Sequence, residues 1–176
     1  MGVTTSTANA GSTLVPIATT TLGSAAASYT FTSIPSTYTN LVLVASGLTT
    51  SASTTKLNVG NGSIDTGSNY SWTVISGTGS AANSYRESNV TYTQNERYAN
   101  WDTTNNANTI IQIQNYSNTT TYKTWLSKGN NAATGVDAIV GLWRSTSAIN
   151  QVQISCTNAT TFKVGCTFTL YGIKAA

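Results

Sequence analysis

The sequence predicts an all-β fold: an antiparallel β-sandwich or jelly roll preceded by a short extended N-terminal arm. Three observations lead there. Apolar and polar residues alternate at period two along most segments, the pattern of strands with one buried face. The chain is rich in Thr and Ser, and β-branched Thr suits a pleated surface. Gly, Asn, Ser and Thr recur between these segments, helix-period patterns are missing, and only two prolines occur.

The arm is read over residues 1–16 and the sandwich over 17–176. Met1 to Ser12 are small and polar with no buried-residue pattern. Alone in water such a stretch stays disordered, so it is expected to order against a neighbouring subunit or against its own domain. Tyr29 to Thr32 alternate cleanly and Ile34-Pro35 ends them. Leu41-Val42-Leu43-Val44 is continuously apolar, as a central strand covered on both faces would be. Lys56 to Val59 run into Gly60-Asn61-Gly62, strand followed by turn chemistry. Further strands are expected at 70–75, 85–92, 109–116, 121–127, 138–144, 149–155 and 166–173, about ten in all. Connections are expected at Gly77-Thr78-Gly79, Ser117-Asn118-Thr119, Lys128-Gly129-Asn130-Asn131 and Ser145-Thr146-Ser147. Even spacing of this kind fits a sandwich or jelly roll. No fixed-period repeat points to a solenoid.

Composition narrows the function classes. At 176 residues the chain suits one domain able to bury a core without disulfide staples. Only 7% of residues are charged, against about 25% in ordinary domains. The net charge of +3 comes from eight scattered basic residues. They form no stripe, so no nucleic-acid partner is expected. The longest apolar run, Leu41 to Ala45, is far below the ~20 residues of a membrane helix, and no secretory signal is read at Met1. No membrane partner is expected either. Cys156 and Cys166 are expected as buried thiols on neighbouring strands.

The motifs that carry chemistry are few. Ile64-Asp65-Thr66-Gly67 resembles the carboxylate loop of aspartic proteases, but that chemistry needs two such carboxylates and the sequence holds one copy. Asp65 is expected to cap its own turn. Asp65, Glu87, Glu96, Asp102 and Asp137 are all the acids present, and no two share a short motif. Without histidine, a Ser-His-Asp triad is impossible. No catalytic residue, metal or cofactor is expected. The Tyr and Trp residues read mainly as core. Tyr98 and Trp101, in the polar stretch Tyr98-Ala99-Asn100-Trp101-Asp102, are the best candidates for exposed rings that stack on sugars.

Four segments point further. Ser28-Tyr29-Thr30-Phe31-Thr32-Ser33-Ile34-Pro35-Ser36-Thr37-Tyr38-Thr39-Asn40-Leu41 fits a "Phe-x-x-Ile-Pro-x-x-Tyr-x-x-Leu" pattern. Asn61-Gly62 is followed by Asp65-Thr66-Gly67-Ser68-Asn69-Tyr70-Ser71-Trp72. Trp143 to Ile149 and Phe168-Thr169-Leu170-Tyr171-Gly172-Ile173-Lys174 close the match. Over residues 17–176 the chain resembles a jelly-roll-like module of tailed-bacteriophage virion structural proteins, found in head decoration (cement) proteins and at tail-fibre tips. The resemblance implies a non-enzymatic virion protein, assembled in the host cytoplasm, with the major capsid protein or other virion proteins as partners. Its first form is a capsid decoration protein, a trimer whose arm residues Gly2, Val3, Thr4, Thr5, Ser6 and Thr7 contact capsid subunits. A globule starting at Met1 with only a short arm suits that placement. Its second form is a host-recognising tip that binds a glycan through Tyr98 and Trp101.

Overall fold

The computed structural model describes residues 14–174, and among these it contains strands and turns but no helix. Thirteen strands follow one another: β1 Leu14–Thr21, β2 Ser28–Phe31, β3 Asn40–Gly47, β4 Thr55–Asn61, β5 Ser63–Ile64, β6 Tyr70–Gly77 and β7 Ala82–Val90. The remainder are β8 Thr93–Gln94, β9 Ala107–Gln114, β10 Lys123–Asn131, β11 Gly135–Trp143, β12 Gln151–Cys156 and β13 Thr167–Ile173. An eight-stranded sheet has the order β1-β13-β3-β9-β10-β11-β6-β7, and a five-stranded sheet the order β2-β12-β4-β5, with β8 paired to β4. All pairings are antiparallel. The fold is a β-sandwich. A jelly roll's double Greek key is a narrower arrangement, which these strand orders do not establish.

Period two places the core between the sheets. Leu41, Leu43, Ala45, Ile111, Ile113, Phe168 and Leu170 come from the large sheet. Phe31, Leu57, Val59, Val152 and Ile154 meet them from the small one. Five strands cannot cover eight. The uncovered inner face of β10, β11 and β6 carries Trp125, Ile139, Trp72 and Val74, all buried. Residues 91–102 fold over this region and close it. Small residues make room there: a Cβ at Gly141 would collide with the Trp125 indole.

Each of the ten expected strands has its counterpart, and three others were not foreseen. β5 and β8 have two residues each, too short for a period to register. β1 overlaps the expected arm, because Leu14, Val15 and Pro16 pair with Ile173, Gly172 and Tyr171. The boundary after residue 16 therefore falls inside a strand. β1 is an edge strand that bulges at Ile17, a place where proline, lacking an N–H, is tolerated.

Two expectations need correction. Lys128 to Asn131 is not a connection but the end of β10; the turn comes at 132–134. Gly129 and Asn131 face inward and are buried. Gly129 is small because the Glu96 side chain occupies the space beside it, and Asn131 donates to the Asn100 carbonyl and the Asp102 carboxylate. The cysteines are not on neighbouring strands. Cys156 ends β12 in the small sheet, whereas Cys166 sits just before β13 of the large one; both are buried and free.

Candidate functional site

The five carboxylates all serve the fold. Asp65 accepts bonds from Gly67 N (2.7 Å), Asn69 Nδ2 (2.9 Å) and Trp143 Nε1 (2.7 Å). Burial pushes its carboxyl up, yet the bonds from Trp143, Asn69 and Gly67 outweigh burial and hold it below its usual value. The Asp-Thr-Gly loop is thus a capped turn, as expected. Asp102 is likewise held low, burial being outweighed by bonds from Asn105, Thr104 and Asn131. Glu87 accepts from the Tyr85 hydroxyl.

The other two acids clamp the covering segment. Asp137 on β11 accepts three consecutive backbone N–H groups, Arg97, Tyr98 and Ala99, at 2.6 to 2.8 Å. Glu96, fully buried, accepts from Thr55 N and Oγ1, both at 2.8 Å, and from Thr109 Oγ1. Burial pushes the Glu96 carboxyl up to about 7; the threonine bonds pull it back, and the nearby Asp137 charge adds to the rise. The fold therefore brings together two acids that lie far apart in sequence. With Glu96 0% and Asp137 1% exposed, neither is placed to reach a substrate. Among the described residues, no group of three His, Cys, Asp or Glu side chains forms a metal site.

The aromatic candidates divide. Trp101 is buried, which corrects its reading as a sugar platform. Its ring packs edge-on against Phe162 at 5.5 Å, and its Nε1–H donates to Thr109 Oγ1 at 3.2 Å. The polar residues around it misled because residues 97–99 are drawn inward by Asp137. Tyr98 is half-buried, with its backbone N–H on Asp137. The arm residues Gly2 to Thr7 lie outside the described residues.

The outer faces of the two sheets differ in chemistry. On the small sheet, register sets Thr30, Gln153 and Asn58 in one row and Ser28, Ser155 and Lys56 in the next, all polar. The Lys56 ammonium stands 4.8 Å from the centre of the Tyr92 ring. On the large sheet, Ile75, Ile110, Leu126, Val136 and Val140 point outward and are between 39% and 65% exposed. Register makes them contiguous. Leu126 is opposite Val140, Lys128 is opposite Ile110 and Ala138, and Ala138 is opposite Ile75. A groove of about 340 Å³ runs between them, lined by Thr73, Ile75, Leu126, Lys128, Ala138 and Val140.

A contiguous apolar patch on an open sheet is unusual unless something covers it. The sequence carries a signal for it. Val136, Ala138, Val140 and Leu142 recur at period two opposite inward Ile139 and Trp143, so β11 is apolar on both faces. Searches against protein-family models, curated proteins and solved structures give no match to this chain.

Proposed function

We propose that this chain is a non-enzymatic contact protein of a tailed-bacteriophage virion, most specifically a capsid decoration or cement protein. The observation that carries the contact role is the open apolar face of β9, β10, β11 and β6 on a rigid sandwich. The burial of Glu96 and Asp137 supports it, since general acid–base work needs an accessible group. The virion assignment draws on the resemblance of residues 17–176 to virion modules. In this reading several copies, as a trimer, bind capsid subunits through modest contacts that sum by avidity, and the arm from Gly2 adds to them.

The test is immunogold labelling of native particles, followed by rebinding of purified chain to particles stripped of it. Label on the head, and lost retention after deleting residues 2–13, are expected. Label confined to the tail, or turnover of a host polysaccharide by the pure chain, would overturn the reading.

A second reading is a carbohydrate-binding tip. The burial of Trp101 removes the ring first considered for it. The polar outer face of the small sheet favours it instead, where Tyr92 and Lys56 border a groove with Asn58, Gln153 and Ser155. Glycan binding lost in Tyr92→Ala and kept in Leu126→Ser would support this alternative over the first.

A further inference from the structure

The apolar face of the large sheet has a charge of one sign. Of the eight basic residues, six are engaged within the chain. Lys56, Arg97 and Lys174 stand over tyrosine rings. Lys123 and Lys163 donate to carbonyls, and Arg144 binds Ser68, Ser71 and Asn89. Lys128 and Arg86 have no hydrogen bond or ion pair among the described residues, and both project from the outer face of the large sheet. Lys128 stands among Ile110, Leu126 and Ala138, and Arg86 is opposite Thr73 at the same face's edge. No carboxylate shares that face: the five acids are in loops, on the inner side or buried.

We infer that the occupant of this face is a different protein whose matching patch sets a carboxylate among apolar side chains, with Lys128 as its counter-charge. The inference rests on the reading of this face as a contact surface and deepens it by naming the partner's chemistry. A second copy packed face to face does not fit, because that face carries Lys128 and Arg86 and no carboxylate to pair with them. A purely apolar partner does not fit either. It would bury the Lys128 ammonium without a counter-charge, which is costly, whereas a carboxylate turns that cost into specificity. The five strands from β9 to β7 present about 700 Å² of sheet at ordinary strand spacing. That is below the ~800 Å² per partner of a typical stable interface, so each contact is modest and repetition supplies the affinity.

Two measurements test this. In the first, amide shifts of the purified chain are followed as dodecanoate or dodecyltrimethylammonium is added below its micellar concentration. Dodecanoate should perturb residues around 126–128 and 138–140 and bind about tenfold more tightly than the cation, the scale of one charge-assisted contact. Lys128→Gln should erase that preference, Lys128→Arg should keep it, and Leu126→Ser should weaken both ligands. Equal binding of the two amphiphiles, perturbation elsewhere, or a sedimenting dimer abolished by Leu126→Glu would overturn the inference. In the second, Lys128→Gln is rebound to stripped particles. Unchanged retention there sinks the inference and leaves the virion reading intact. Absence of the wild-type chain from particles, with the dodecanoate preference preserved, sinks the virion reading alone.

Discussion

Glu96 lies against Gly129, so close that a Cβ on residue 129 would overlap the Glu96 Cγ. This contact joins the covering segment to β10 and explains a glycine in the middle of a strand's buried face. Gly129→Ala must push Glu96 away from Thr55 and Thr109, or move β10. Overpacking of this kind costs about 1–3 kcal/mol. Chemical denaturation should show that loss as a lowered midpoint with an unchanged slope. An alanine variant as stable as the wild type would mean that Glu96 is not held there.

The same carboxyl sets the pH dependence of stability. Burial raises Glu96 to about 7 in the folded state, against about 4.3 for a free glutamate. Between those values the folded chain holds the proton more tightly than the unfolded one. Stability from this group is therefore full below about 4.3 and is lost as pH rises through 7. At 1.36 kcal/mol per unit the loss is about 4 kcal/mol. Asp65 and Asp102, held low, act with the opposite sign: their contribution is present above the ordinary aspartate value and is lost as pH falls through their folded values. Denaturation midpoints should therefore decline from pH 5 to pH 7.5, and Glu96→Gln should flatten the decline. A wild-type midpoint that climbs over that interval would contradict the assignment.

How much of this was legible from sequence depends on whether a signal was local. Leu41 to Val44 read as a central strand and lie in one, flanked by β13 and β9, because a continuous apolar run is a local pattern. Asp65 read as a turn cap and is one, because its Gly67 bond spans two residues. Gly129 and Asn131 read as turn residues, since glycine and asparagine favour turns; their burial follows from Glu96 and Asp102, about 30 residues away in sequence. The covering segment was hidden for the same reason, as Asp137 reaches back some 40 residues to the 97–99 backbone. The outer face of β11 went unread because alternation identifies one buried face but does not say which of two apolar faces stays open.

Trp101 should behave as a core residue. Its ring fills the space beside Phe162, and its indole N–H satisfies Thr109, which in turn donates to Glu96. Trp101→Ala removes a buried ring and the first bond of that relay, a change of about 3–5 kcal/mol for large-to-small substitution at such sites. Trp101→Phe keeps most of the packing and should cost less. A thermal melt of the two variants checks the order. Full stability in the alanine variant, with only a ligand-binding defect, would return Trp101 to the surface.

The two thiols provide a probe of opening. Burial pushes Cys156 up to about 12, and the nearby Cys166 adds to the rise. Burial also raises Cys166, against the pull of bonds with Leu48 and Lys163. Since the thiolate is the reactive form, a thiol so raised and so enclosed is inert in the native state at pH 8. The sites lie on facing sheets, so both become accessible only when the sandwich opens. Labelling with a disulfide reagent should be slow in buffer and should reach two thiols per chain in denaturant. Intermediate denaturant should accelerate both together, as cooperative unfolding requires. Rapid native labelling of Cys156 would place it outside the core and show that the end of β12 frays independently of the sheets.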